Sequence, residues 1–206
     1  MDGQRDWLDW AVELQALGQA GEAYANNAFD LERYARVREL AGWMAARLAG
    51  ERPARIAGLF CNEKGYQTPK LDSRAAVVKE GKILLVQEND GRWALPGGWV
   101  DVDRSVGENA VKETLEEAGY RVRASRLVAL LDRRLHNPGP SPYGIIKAFV
   151  LCELLGGGFE KNPETLESRF FGPDELPQLA LSKTTPEQVR MCLQAAADPG
   201  WVVRFD

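Results

Sequence analysis

Over the first fifty residues the apolar positions recur with a helical period. Trp7, Trp10, Leu14 and Leu17 follow one another at intervals of three or four, one apolar stripe along an amphipathic helix. Gly18 and Gly21 fall near its end. Asp30 is placed to cap a second helix, with Glu32 in the first turn, where the helix dipole favours an acid. Tyr34, Val37, Ala41, Met44 and Leu48 then repeat the period. Two such stripes joined by a short connection predict an antiparallel helical hairpin. A hairpin alone has too little core, so its apolar face needs either the rest of the chain or a second copy. The stretch from Gly50 to Pro53 breaks the pattern, and residues 54 to 70 carry no clear period.

From Lys70 onward the pattern changes to short strands and isolated helices. Ala75 to Val78 and Lys82 to Glu88 read as strands, with Glu80-Gly81 as the turn between them. Gly91, Pro96, Gly97 and Gly98 punctuate a loop. A helix is predicted from Val106 to Ala118, closed by Gly119. Further strands are expected near Val128 to Asp132, Gly144 to Glu153 and Ser168 to Phe171, and a last helix from Pro186 to Ala197. Strands interrupted by helices predict an α/β or α+β sandwich. The expected division is a helical hairpin domain over residues 1–65 and a catalytic domain over 66–206.

Composition removes several classes of function. The chain has 206 residues, 45% hydrophobic and 27% charged, with a net charge of −4. That balance gives no global attraction for nucleic acid or an anionic membrane, so a small anionic ligand needs a local device such as a cation site. Cys61, Cys152 and Cys192 are odd in number and far apart, with neither metal-ligand spacing nor a disulfide framework. They read as ordinary thiols of a cytoplasmic protein. Asp6, Asp9 and Glu13 do not suit a signal peptide. The run from Ile145 to Leu155 contains Lys147 and Glu153 and is too short to span a bilayer.

The chemistry concentrates on the helix after the glycine loop. Ser105 and Glu108 fit a capping box, which sets the helix start. With that start, Glu113, Glu116 and Glu117 share an arc of about 100°, and Glu117 lies at the edge of the apolar face. Glu113 and Glu117 are like charges four residues apart, an unfavourable pair on any helix and a worse one at the rim of a core. A divalent cation relieves the repulsion. Carboxylate oxygens are hard ligands suited to Mg²⁺ or Mn²⁺, and no neighbouring His or Cys points to zinc. Read without its flanks, the same trio also suits a solvated acidic face.

Those flanks decide between the two. Leu95-Pro96-Gly97-Gly98-Trp99-Val100 precedes the helix, and Gly98, Glu113, Glu116, Glu117 and Gly119 match the pattern G-x5-E-x7-R-E-U-x-E-E-x-G-U, where U is bulky and apolar. Here the chain resembles the Nudix hydrolase family. The likeness extends over roughly residues 70 to 180 and includes Phe170 to Pro177. Lys112 stands for the usual Arg, while Thr114 and Tyr120 are looser substitutes at the bulky positions. Arg104 replaces the usual Glu, so the expected brace becomes a repelling Arg104–Lys112 pair. Glu108, four residues before Lys112, is expected to brace the site instead unless the cap uses it fully.

The resemblance implies an α/β/α sandwich with a mixed sheet. It also implies attack by water on a diphosphate in a nucleoside diphosphate derivative. Glu113, Glu116 and Glu117 are the expected cation ligands, joined by the Gly97 carbonyl. Acidic residues on a later loop often act as the base in this family. Glu164 and Glu167 are the candidates, with Glu164 preferred. Arg74 and Lys147, on predicted strands, are expected substrate contacts, and Trp99 is an expected aromatic platform; Trp93 and His136 read as core and surface residues. The helical segment before the catalytic domain is similar to that of dimeric CDP-choline pyrophosphatases, which points to CDP-choline, cleaved to CMP and phosphocholine, and to a homodimer in which the N-terminal helices contribute. ADP-ribose or a nucleotide sugar, an RNA-processing activity and a silent ligand sensor are the alternatives. The intact glutamate trio argues against the sensor, and the acidic balance argues against nucleic acid as main substrate.

Overall fold

The computed structural model describes residues 6–60 and 62–206; Cys61 lies outside them. The chain forms two compact units, Met1–Pro69 with Pro140–Tyr143, and Lys70–Gly139 with Gly144–Asp206.

The first unit contains α1 (Trp7–Tyr24), α2 (Ala28–Ala49) and α3 (Pro53–Phe60). Asp6 caps α1 by accepting from the Leu8 and Asp9 amides, and Asp9 returns a bond to the Asp6 amide. Asn27, and not Asp30, caps α2; it is Asn27 that has the extended backbone of a capping residue, and its side chain accepts from the Asp30 amide. The helix α3 arises in the stretch without a clear period, with Pro53 as its first residue, where the missing N–H costs nothing.

Of the two periodic stripes, only Ala41 is fully buried in the hairpin. Its buried positions are small or polar ones, including Ala11, Gln15 and Gly18 on α1 and Ala41, Gly42, Ala45 and Ala46 on α2. Small side chains let the helices approach closely, which pushes the bulky members of each stripe outward. Trp7 is 62% exposed and Leu17 58% exposed.

The second unit holds β1 (Lys70–Lys79), β2 (Lys82–Glu88), β3 (Trp93–Ala94), α4 (Val106–Ala118), β4 (Tyr120–Asp132), α5 (Arg133–His136), β5 (Ile145–Gly157), β6 (Thr165–Phe171), α6 (Pro186–Ala197) and β7 (Arg204–Phe205). The strands are ordered β3-β2-β1-β5-β4-β7, with β6 also paired to β2. The β1–β5 and β4–β7 pairs are parallel and the other named pairs antiparallel, so the sheet is mixed. Glu80 (φ 51°) and Gly81 (φ 74°) both have left-handed backbone, as a tight hairpin between right-twisted strands requires.

Alternation along the strands builds two cores. Ala75 and Val77 of β1, Leu84 and Val86 of β2 and Cys152 of β5 pack with Ala110 and Ala118 of α4. Ala76, Ile83, Leu85 and Phe149 pack on the opposite face with Val189, Met191, Cys192 and Ala195 of α6. Burial pushes both thiols up to about 12. The strand β1 begins five residues before the apolar run that announces it, because Asp72, Ser73 and Arg74 are polar residues buried at its start. Among the described residues, no helix is long and apolar enough to cross a membrane.

Candidate active site

The glycine segment runs antiparallel along the start of β1. The Ala75 amide donates to the Pro96 carbonyl (2.8 Å), Ser73 to Gly98 (2.9 Å) and Val100 to Leu71 (2.8 Å). Only glycine fits at position 97. Its φ is 146°, and an added Cβ would lie 1.9 Å from the Ser73 carbonyl oxygen. The same close approach presents the segment's backbone to α4. The Gly97 amide donates to Glu117 Oε2 (2.8 Å), and a Cβ on Gly98 would meet Glu113 Oε2 at 3.3 Å.

On α4 the capping box forms as its residues suggest. Glu108 accepts from the Ser105 amide (2.8 Å) and Gly119 closes the helix with left-handed backbone. Asn109, fully buried, ties the helix to the strand beneath it by donating to Ser73 Oγ (2.9 Å). The three glutamates differ in surroundings. Glu116 is exposed and Glu113 half-buried. Burial pushes Glu117 up to about 7, against the lowering effects of the Gly97 amide and the Arg74 charge.

Lys112 lies among the acids, with Nζ 3.1 Å from Glu113, 3.2 Å from Glu116 and 3.3 Å from Asp101. This corrects the expected brace. Glu108 is used by the cap, and Asp101 lies within reach of both Lys112 and Arg104, the latter at 3.6 Å. Asp101 therefore separates two cations that would otherwise repel. Among the described residues, no three acidic, histidine or cysteine side chains converge as a ready-made metal cage. Here Lys112 and the Gly97 amide hold the carboxylates.

The basic residues expected on strands are interior. Arg74 donates to both Asp72 oxygens (2.9 and 2.8 Å) and to the Leu95 carbonyl (3.2 Å). Lys147, only 2% exposed, donates to the Lys183 carbonyl and lies 3.7 Å from Asp72. Burial, reinforced by the Arg74 charge, pushes its ammonium down to about 7. Asp72 was not singled out by sequence. Its signal is the alternation Asp72, Arg74, Ala76, which puts the acid and the base on one side of β1.

Glu164 is exposed, in a turn whose Asn162 and Thr165 side chains both donate to the Glu117 carbonyl (3.3 and 2.6 Å). Glu167 lies on β6, 3.5 Å from Arg169. Trp99 is 53% exposed beside Gly98, with Lys70 Nζ 5.9 Å from its ring. Trp93 is core, edge-on to Phe171 at 4.8 Å. His136 lies 2.7 Å from Asp206, among residues that are not part of this site. Glu88 and Lys183, paired at 2.7 Å, were also missed, since 95 residues separate them.

Comparison with known proteins identifies the family. Residues 69–192 match the NUDIX domain model, and residues 5–60 match a domain described as UDP-X-like, N-terminal oligomerisation. YjhB of Bacillus subtilis, provisionally named an ADP-ribose pyrophosphatase, is 40% identical over 98% of both chains. A crystal structure of an ADP-ribose pyrophosphatase from Streptococcus suis is 56% identical, covers 68% of this chain and all of its own, and superposes with a TM-score of 0.64. A UDP-X diphosphatase structure is 30% identical over 98% of both chains, with a TM-score of 0.62. The match over most of the second unit, on top of the glycine segment and its facing glutamates, shows that the chain belongs to the Nudix family and is a Nudix pyrophosphohydrolase with a UDP-X-like N-terminal domain.

Proposed function

We propose that the chain hydrolyses the diphosphate of ADP-ribose or a closely related nucleoside diphosphate derivative, giving AMP and ribose 5-phosphate in the ADP-ribose case. The observation that carries the chemistry is the hook between the Gly97 amide and Glu117 (2.8 Å). It brings a close-approaching backbone and the acid of the trio that burial pushes up to about 7 to one point. The choice of ADP-ribose over CDP-choline rests on the relatives, two of which bear that name at 40% and 56% identity. The CDP-choline expectation finds no support in them.

The residues fit a divalent cation, Mg²⁺ or Mn²⁺. Glu113, Glu116 and Glu117 offer hard oxygen donors, and Glu117 is held up to about 7 by burial, a cost that a bound cation offsets. The Pro96 and Gly98 carbonyls are turned to β1, and alternation in an extended segment directs the Gly97 carbonyl away from it, toward α4. When bound, the cation supplies charge neutralisation on the diphosphate and a lowered pKa for water. Glu164 is the proposed base, taking the proton of the attacking water as a P–O bond to the bridging oxygen breaks. Its turn is fastened to the end of α4, which keeps it near the trio. Trp99 offers an exposed ring for the nucleobase.

Arg74 and Lys147 are better read as a brace than as substrate contacts, because both are buried and occupied. The exposed apolar residues of α1 and the oligomerisation-domain match support a homodimer through the helical unit. The test is a product-resolved assay of ADP-ribose, UDP-sugars, CDP-choline, nucleoside triphosphates and short capped RNA with each metal. Turnover of ADP-ribose above the others is expected. No hydrolysis anywhere in the panel points instead to a ligand sensor.

A further inference from the structure

Three basic side chains of the second unit are already committed. Arg74 is spent on Asp72 and the Leu95 carbonyl, Lys147 is buried under Lys183, and Lys112 is shared among Asp101, Glu113 and Glu116. Lys183 differs. Its side chain is 46% exposed and its ammonium lies 2.7 Å from one carboxylate, Glu88, itself 22% exposed.

The turn carrying Lys183 is pinned to the site from several directions. Lys147 donates to the Lys183 carbonyl, and the Leu95 amide donates to Thr184 Oγ1 (3.0 Å). The Lys183 and Thr184 amides both donate to the Ala180 carbonyl (2.7 and 2.8 Å). The backbone is therefore fixed against the glycine segment while the ammonium at its tip is accessible. The charges interact weakly with the site. Burial raises the Glu117 pKa and the Lys183 charge offsets a small part of that rise. Burial lowers the Arg74 pKa, and Asp72, with smaller help from Glu117 and Glu88, more than restores it.

We propose that Lys183 is a phosphate contact of the substrate, parked on Glu88 in the free enzyme and transferred to the diphosphate when substrate binds. An ammonium on a flexible stem can exchange one anionic partner for another without moving its backbone. Glu88 thereby competes with substrate, while Lys147 positions Lys183 from below. This rests on the nucleoside diphosphate reading given above.

The test is calorimetric binding of ADP and of adenosine to the full chain, with kinetics alongside. Lys183→Met is expected to weaken ADP roughly tenfold or more, the order of a charge-assisted hydrogen bond, leave adenosine unchanged, and raise KM more than it lowers kcat. Lys183→Arg should recover part of the loss. Glu88→Gln, which removes the competitor, should tighten ADP, a result that a purely structural ion pair would not give. Wild-type ADP affinity in Lys183→Met, or weaker ADP binding in Glu88→Gln, overturns the proposal while leaving the enzyme's function untouched. A wild-type protein that binds neither ADP nor any other diphosphate overturns both.

Discussion

Asp101 lies 3.3 Å from Lys112 and 3.6 Å from Arg104, one carboxylate between two cations. In the family pattern an early glutamate provides this service. Here Arg104 stands in that place, and an acid three residues earlier takes over. Without it, Lys112 is left to Glu113 and Glu116, where it opposes metal binding. Asp101→Asn is therefore expected to change stability by less than about 1 kcal/mol, as an exposed pair does. The metal concentration for half-maximal activity should rise several-fold, read by titrating Mg²⁺ at saturating substrate.

Glu117 carries the strongest activity prediction. Glu117→Gln keeps the shape but removes a charge, and turnover should fall by more than the roughly 10–100-fold typical of losing an outer-shell metal partner. Circular dichroism should show an unchanged fold.

The same residue sets a pH dependence in metal-free protein. Its folded pKa is raised to about 7 from 4.5. Below 4.5 the carboxyl is protonated in both folded and unfolded chains and costs nothing. Between 4.5 and 7 the unfolded chain ionises first, so this group's contribution to stability falls as pH rises and is lowest above 7. Melting in EDTA should show that fall, Glu117→Gln should lack it, and added Mg²⁺ should stabilise wild type more at pH 8 than at pH 5.5.

At Gly97 even one methyl group collides with backbone. Gly97→Ala would put Cβ 1.9 Å from the Ser73 oxygen at a φ of 146°. We expect a loss of about 3 kcal/mol or more, seen in chemical denaturation, with activity falling in parallel.

For the helical unit, Trp10→Glu combined with Leu17→Glu places charge on the exposed stripe of α1. Light scattering after size exclusion should report the monomer mass, with the helical signal retained. A dimer of unchanged affinity would move the interface elsewhere.

How much of this was legible in sequence depends on how far apart the interacting groups lie. The helix α4 was readable because Ser105, Glu108 and Gly119 signal its ends locally, and the glutamate arc follows from the helical period. The cap at Asn27 was hidden by Asp30, a residue of similar capping chemistry three positions later. The stripe of Trp7, Trp10 and Leu17 showed that an apolar face exists but not what covers it, since periodicity is the same for a core and for an outer surface. Asp72, Lys147 and Lys183 come from three distant segments. Only the burial of Asp72 and Lys147, and the contacts of Lys147 with Asp72 and with the Lys183 carbonyl, distinguish them from ordinary strand and loop residues.

The two buried cysteines of the catalytic unit have a practical consequence. Cys152 belongs to the core beneath α4 and Cys192 to the core beneath α6. With both thiols pushed up to about 12, almost none is thiolate at neutral pH, so alkylating reagents must wait for the packing to open. Each sulfur thus acts as a clock for its own layer, and mass-resolved labelling would time the loosening of the catalytic helix separately from that of the helix on the far face.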